Sequence, residues 1–329
     1  MTRHEEPVRS TRKSYTFYPV DSPELARRME AAVSFEGFYT YLLHQDLDHV
    51  VPYRLGRDDR CEARMVGQDA ERASELVAAA LSDRGYHPSL DDGVRDFFGT
   101  TAQYLVLGGP VTYEIEYLYR ASAPENAAPE WFRLHLIQPG TLGERNGQPI
   151  QYVLPTISSQ HDTNGLSYVD LDASTLVQFT LPPEVAKPVS RLVSFLKTAN
   201  VEQGSELALV EQAMTGSSSF SYDEYRRQQR YLFARVTEPV GWNARDLFTE
   251  GQLEPFGGWR QIRFLEFKVK LRDKICQDLN VAISQVGKKM GFEAKLELDG
   301  LPTLETVESL KNDFRSGRQG FGDLVMSMI

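Results

Sequence analysis

Between residues 89 and 120 the chain changes its hydrophobic period, and that change restricts the fold more than any other stretch. Ser89 and Asp92 form an S-x-x-D helix start, after which Val94, Phe97, Phe98, Ala102, Leu105 and Val106 recur at helical spacing. Gly108-Gly109-Pro110 stops the helix, because Pro lacks the amide that the next turn needs. From Val111 the period is two: Val111, Tyr113, Ile115, Tyr117 and Tyr119 alternate with Thr112, Glu114, Glu116 and Arg120. The spacing predicts a strand with one apolar and one wet face. A long helix feeding directly into a strand excludes an all-helical and an all-strand architecture.

The β character continues beyond this junction. Strands are expected at 131–137, 151–154, 167–171 and 176–181, separated by turn signals at Pro139-Gly140, Asn146-Gly147 and Asn164-Gly165. Pro182-Pro183 ends the unit, and Pro188 is read as the first-turn residue of a long helix carrying Leu192, Val193, Leu196, Leu207 and Val210, with a kink near Gly204. A Gly216-Ser217-Ser218-Ser219 segment reads as flexible, followed by a charged helix over 222–236. A second long helix runs over 259–290, then a short strand over 293–298 and a helix from Thr303 to Phe314. Upstream lie an irregular arm over 1–20, helices from Pro23 to Val33 and from Phe35 to Val51, a strand over 60–66 and an amphipathic helix over 71–83. The fold class is therefore α+β: long helices with an inserted antiparallel β unit. Its divisions are 1–89 (helical), 90–109 (helix), 110–182 (β unit), 183–258 (long helix, loop and charged helix) and 259–329 (C-terminal helical region).

Hydrophobic residues make up 41% and charged residues 25%, enough apolar material for a folded core. No stretch of about eighteen apolar residues is present, so no membrane partner is expected. Cys61 and Cys276 are far apart and lack CxxC spacing, which argues against a disulfide framework or zinc ribbon. The net charge of −10 comes mainly from the first half, which disfavours tight gripping of nucleic acid while leaving room for DNA to pass nearby. His44, Asp46, Asp48 and His49 do not match helical i, i+4 ligand spacing, and neither a metal nor a cofactor is expected. No GxSxG, Walker A or GxGxxG element occurs. Glu114 and Glu116 share a strand face, the arrangement a carboxylate-dependent hydrolase would need, although a solvated face looks the same. The Lys288-Lys289 and Arg226-Arg227 pairs read as solvated helix faces. No catalytic residue is assigned and the chain is not expected to be an enzyme.

Taken in order, the junction GGPVTYEIEYLYR, the β segment WFRLHLIQPGTL, the strand DASTLVQFTLPP, and the helical stretches RFLEFKVKLRDKICQDLN and LDGLPTLETVESLKNDF resemble the portal family of tailed phages. The likeness extends over roughly residues 85 to 329 in element order. It implies that 110–182 is a clip, with Tyr113, Glu114, Ile115 and Glu116 on its leading strand, and that 90–107 and 184–212 contribute stem and wing. Gly216, Ser217, Ser218, Ser219 and Phe220 would then be a tunnel loop facing the DNA channel, where the alternative is a plain surface linker. It also implies a homo-oligomeric, dodecameric ring at a capsid vertex, built in the host cytoplasm and carried in the virion. Its implied partners are the terminase large subunit, a head-tail adaptor protein, the major capsid protein and double-stranded DNA passing non-specifically. Another head or neck component is the runner-up assembly reading.

Overall fold

The computed structural model describes residues 8–16, 22–33, 37–51, 62–81, 89–124, 126–214, 221–244 and 254–318. It is an α+β protein in which every described strand pairing is antiparallel. The chain divides into two compact units, each drawn from three stretches of sequence.

The first unit takes Met1–Ser34, Arg60–Thr180 and Lys274–Gly300. It contains β1 (Val8–Ser10), α1 (Pro23–Ala32), β2 (Glu62–Gln68), α3 (Ala70–Leu81), α4 (Leu90–Gly108) and β3 (Val111–Arg120). It continues with β4 (Trp131–Leu136), β5 (Leu142–Arg145), β6 (Gln148–Tyr152), β7 (Tyr168–Asp170) and β8 (Leu176–Phe179). Ser89 caps α4 by accepting the Asp92 amide, and the Gly109 amide returns to the Leu105 carbonyl at the other end. Gly109 sits at φ 93, open to glycine and strained for other L residues. Gly108 is needed for a different reason: a Cβ there would run into Val33 Cγ2, just past α1. Phe97 of α4, Tyr113 of β3 and Phe179 of β8 form a ring cluster with centroids 5.0 to 5.5 Å apart, and Thr101 Oγ1 lies 2.9 Å from the Tyr113 hydroxyl. Leu25 and Met29 of α1 pack with Val153, Leu154 and Val169 beside the β5-β6-β7 sheet.

The second unit takes Phe35–Asp59, Leu181–Asp273 and Leu301–Ile329. Its helices are α2 (Phe38–Asp48), α5 (Pro183–Met214), α6 (Tyr222–Thr237), the beginning of α7 (Glu254–Met290) and α8 (Leu304–Arg315). The long helix α5 starts at Pro183, five residues before the start read from the sequence, because the Pro182 carbonyl closes the first turn by accepting from Val185 and Ala186. Pro188 is thus inside the helix rather than in its first turn. Phe233 of α6 is the hub of a ring cluster with Tyr39, Phe195 and Trp242. Ile262, Leu265 and Val269 of α7 meet Val307, Leu310 and Phe314 of α8. The remainder of α7, from Lys274, belongs to the first unit and leads into β9 (Glu293–Asp299), which pairs with β2 over seven residues. No described helix is long and apolar enough to cross a membrane.

β3 departs from the expected half-wet strand. Thr112, Glu114 and Glu116 are buried along with Val111, Tyr113, Ile115, Tyr117 and Tyr119, and within the strand only Arg120 is exposed. Glu114 and Glu116 on the polar face are met by the N-terminal segment, a contact 100 to 106 residues away in sequence that periodicity does not report.

Candidate functional site

β3 has two flanks. On one, β4 pairs from Tyr113↔Leu136 to Leu118↔Trp131. The other is shared, with β8 taking Val111 to Glu114 and β1 taking Leu118 to Arg120. Beside the stretch between them lie the residues that follow β1, held largely by side chains. The Thr11 amide donates to the Tyr117 carbonyl at 3.1 Å, while the Tyr117 amide donates to the Thr11 hydroxyl at 2.9 Å, so a side-chain oxygen replaces a ladder carbonyl.

Glu114 performs the same substitution from the other direction. Its side chain, only 1% exposed, accepts the Lys13 amide on Oε1 at 2.8 Å and the Ser14 amide on Oε2 at 2.7 Å. Gln151, fully buried on β6, takes the next residue with both ends of its amide, accepting from the Tyr15 N–H at 2.7 Å and donating to the Tyr15 carbonyl at 2.9 Å. A strand neighbour would offer the same donor and acceptor pair.

Glu116, 6% exposed, anchors the start of the segment. Its Oε1 accepts the Ser10 hydroxyl, and its Oε2 lies 2.5 Å from His135 Nε2 on β4. Ser10 Oγ also accepts the Arg12 amide at 3.0 Å. Burial pushes the Glu116 carboxyl upward, but hydrogen bonds from His135 and Ser10, with the charges of His135 and Arg133, together hold it below the ordinary carboxylate range. Asp172, whose charge interacts with Lys13 and Lys289, is likewise held low, first by its bonds from Ser174 and then by those cations.

All four oxygens of the Glu114 and Glu116 pair are therefore occupied by donors from within the chain. What this arrangement does chemically is hold an extended segment: it presents acceptors to successive backbone amides and to small hydroxyls. Tyr113 and Ile115, the other two singled-out residues of this strand, face the core. Tyr117 also faces inward, where burial first and the neighbouring Tyr119 second push its hydroxyl up to about 12, and Lys289 Nζ sits 4.0 Å from its ring centroid.

The other candidates are dispersed. Asp46 Oδ2 accepts the Trp242 indole N–H at 2.8 Å, and burial lowers the His44 pKa against an opposing pull from Asp48. Among the described residues no group of three His, Cys, Asp or Glu side chains could hold a metal ion. Lys288 lines a groove of about 440 Å³ with Gln68, Ser284 and Phe292, and Arg227 pairs at the surface with Glu224. Gly216, Ser217, Ser218, Ser219 and Phe220 lie outside the described residues, as does Cys61. Sequence reasoning found the carboxylate pair but missed its partners Ser10, Lys13, Ser14 and His135, and the neighbouring pairing of Tyr15 with Gln151. The one available signal was the unusual presence of two carboxylates inside a strand rich in large aromatic residues.

Comparison with protein-family models, curated proteins and solved structures returned no significant match.

Proposed function

We propose that this chain is a structural subunit of a portal-type ring, in which neighbouring copies enclose a channel for phage DNA. The observation that carries the reading is the arrangement of elements. The chain leaves α4 through Gly108-Gly109-Pro110, builds an antiparallel β segment from Val111 to Phe179, and returns through Pro182-Pro183 into long helices. With 32 residues in α5 and 37 in α7, these helices are about 48 and 56 Å long at a rise of ~1.5 Å per residue. In this reading residues 110–182 are the clip, and α4 and α5 supply stem and wing. Head-to-tail contacts between copies close the ring around DNA held only weakly and without base reading. Terminase, an adaptor, the shell protein and DNA are its partners, and the virion vertex is its place. The ring has no catalytic step of its own, in keeping with a carboxylate pair whose oxygens are already committed, three to the N-terminal segment and one to His135 of β4.

The test is mass photometry and negative-stain imaging of protein recovered from particles and of the purified chain, across concentration and salt. Annular particles with a central pore are expected. Monomers alone in both preparations would sink the reading.

A further inference from the structure

The segment on the β3 flank is fastened almost entirely by polar contacts. From Arg9 to Thr16 only Ser14 is buried, at 4% exposure, and no apolar side chain in that span is buried. The Ser14 side chain brings little attraction of its own, because its hydroxyl is buried without a hydrogen-bond partner among the described residues. The segment is held by the β1–β3 pairing and by hydrogen bonds to Glu114, Glu116, Gln151 and the Tyr117 backbone, those to the two carboxylates being the stronger ones. Lifting it away takes no buried apolar side chain of residues 9–16 out of the core, so the cost of opening lies in hydrogen bonds rather than in apolar burial of its own. The emptied flank, however, is a poor resting state. It would leave buried Glu114 without either of its donors, buried Glu116 with His135 alone, and part of the β3 edge unpaired.

We propose that residues 8–16 form an exchangeable strand, and that the β3 flank is a strand-acceptor site which takes the same segment from a second copy of this chain. The contact set is indifferent to the donor: Glu114 reads two successive amides, Gln151 reads one residue's N–H and C=O, Glu116 reads a hydroxyl, and any copy offers all of them. The segment's own copy has the advantage of high local concentration, on the order of millimolar for a short tether, so exchange becomes competitive where copies are held together at comparable density. Exchange of an identical element is a low-cost route to linking protomers. The proposal does not depend on the ring reading, since two copies suffice.

Val8 and Arg120 are register partners in the β1–β3 pairing, and the Arg120 side chain pairs with Glu130 rather than with the segment, which makes the two positions suitable for cross-linking. In a Cys61→Ser, Cys276→Ser background, one tagged copy carries Val8→Cys and a differently tagged copy carries Arg120→Cys. After mixing from micromolar to millimolar and mild oxidation with oxidised glutathione, a two-chain disulfide product is expected only in the mixture. It should rise with concentration and fall several-fold when the acceptor copy also carries Glu114→Gln. A chain bearing both cysteines that closes on itself, while the single-cysteine copies stay unlinked throughout, overturns the proposal. So does a link insensitive to Glu114→Gln, or a double-cysteine chain that never closes. Porous rings without the inter-chain disulfide would retain the ring reading and reject exchange; the disulfide in a preparation without rings would do the reverse.

Discussion

Each unit contains a backbone stretch tied down by a buried charge, and the two are built with opposite signs. In the first unit the carboxylates of Glu114 and Glu116 receive amides and a hydroxyl from the N-terminal segment. In the second, Arg260 of α7, 1% exposed, donates to the end of α6 and the turn beyond it: the Ala234 carbonyl, the Thr237 hydroxyl and the Trp242 carbonyl. A cation at a helix C-terminus also meets the negative end of the helix dipole. The surroundings separate the two cases. Arg260 holds a corner whose Phe233 and Trp242 are themselves core residues, whereas the carboxylates hold a segment that buries no apolar side chain from Arg9 to Thr16. A buried charge fixes a backbone path in both units, but only hydrophobic company makes the fixed piece inseparable from the core.

The comparison can be broken most sharply at Arg260. Arg260→Ala leaves the Trp242 carbonyl and Thr237 hydroxyl without their donor and removes packing, and should cost about 3 to 4 kcal/mol. A lower urea midpoint, together with exposure of Trp242 in fluorescence quenching, is the expected outcome. Glu114→Gln should cost about 2 kcal/mol, because an amide group now opposes one of two backbone N–H donors. Here the loss should be local: hydrogen exchange accelerates at least tenfold over residues 10–16 and stays unchanged around Arg260. Equal acceleration in both places would erase the distinction.

Acid provides a graded version of the same test. Glu116 has a folded pKa below its ordinary value of 4.5, so the unfolded or released state binds the proton more readily. Its stabilising contribution is complete above that ordinary value and is lost as pH falls through the lower folded value. Proteolysis at residues 9–16 by an acid-active protease should therefore increase below pH 4.5, with a smaller increase in Glu116→Gln, which also starts from a looser segment. The smallest effect is expected from Ser14→Ala. Removing an unpartnered buried hydroxyl should stabilise the segment by up to about 1 kcal/mol, read as slower exchange at Ser14 and Tyr15. A destabilised Ser14→Ala chain would show that this hydroxyl has work to do in the folded state.

The contrast also explains what could be read from sequence. The α4-to-β3 junction was legible because its determinants are local: Ser89 starts the helix, Gly108-Gly109-Pro110 ends it, and the period changes at Val111. The start of α5 was misplaced because two prolines compete for the first turn, and the deciding contact is the Pro182 carbonyl. Glu114 and Glu116 stood out by type and spacing, yet their burial was hidden, since a buried carboxylate and a solvated one follow the same two-residue alternation. The donors that settle the matter come from residues 10–14 and from His135, and long-range pairing of polar groups leaves no periodic trace. Arg260 was unreadable for the same reason: within α7 it is one more charged helix residue, and only the end of α6 gives it a role.

The paired glycines after α4 have a consequence best stated as one of chirality. At Gly109 an added L side chain meets nothing within 4 Å, but the backbone, at φ 93 and ψ −151, is the mirror image of an ordinary extended residue. At Gly108 the backbone is helical, and it is the space that is missing, filled by Val33. One position rejects L-alanine for its hand and its neighbour rejects it for its bulk. A chemically synthesised chain with D-alanine at 109 would match the backbone's hand there, whereas at 108 the helical backbone already suits an L residue and only its bulk is refused. Translation, limited to L residues, can answer both demands only by repeating the one amino acid that has no hand.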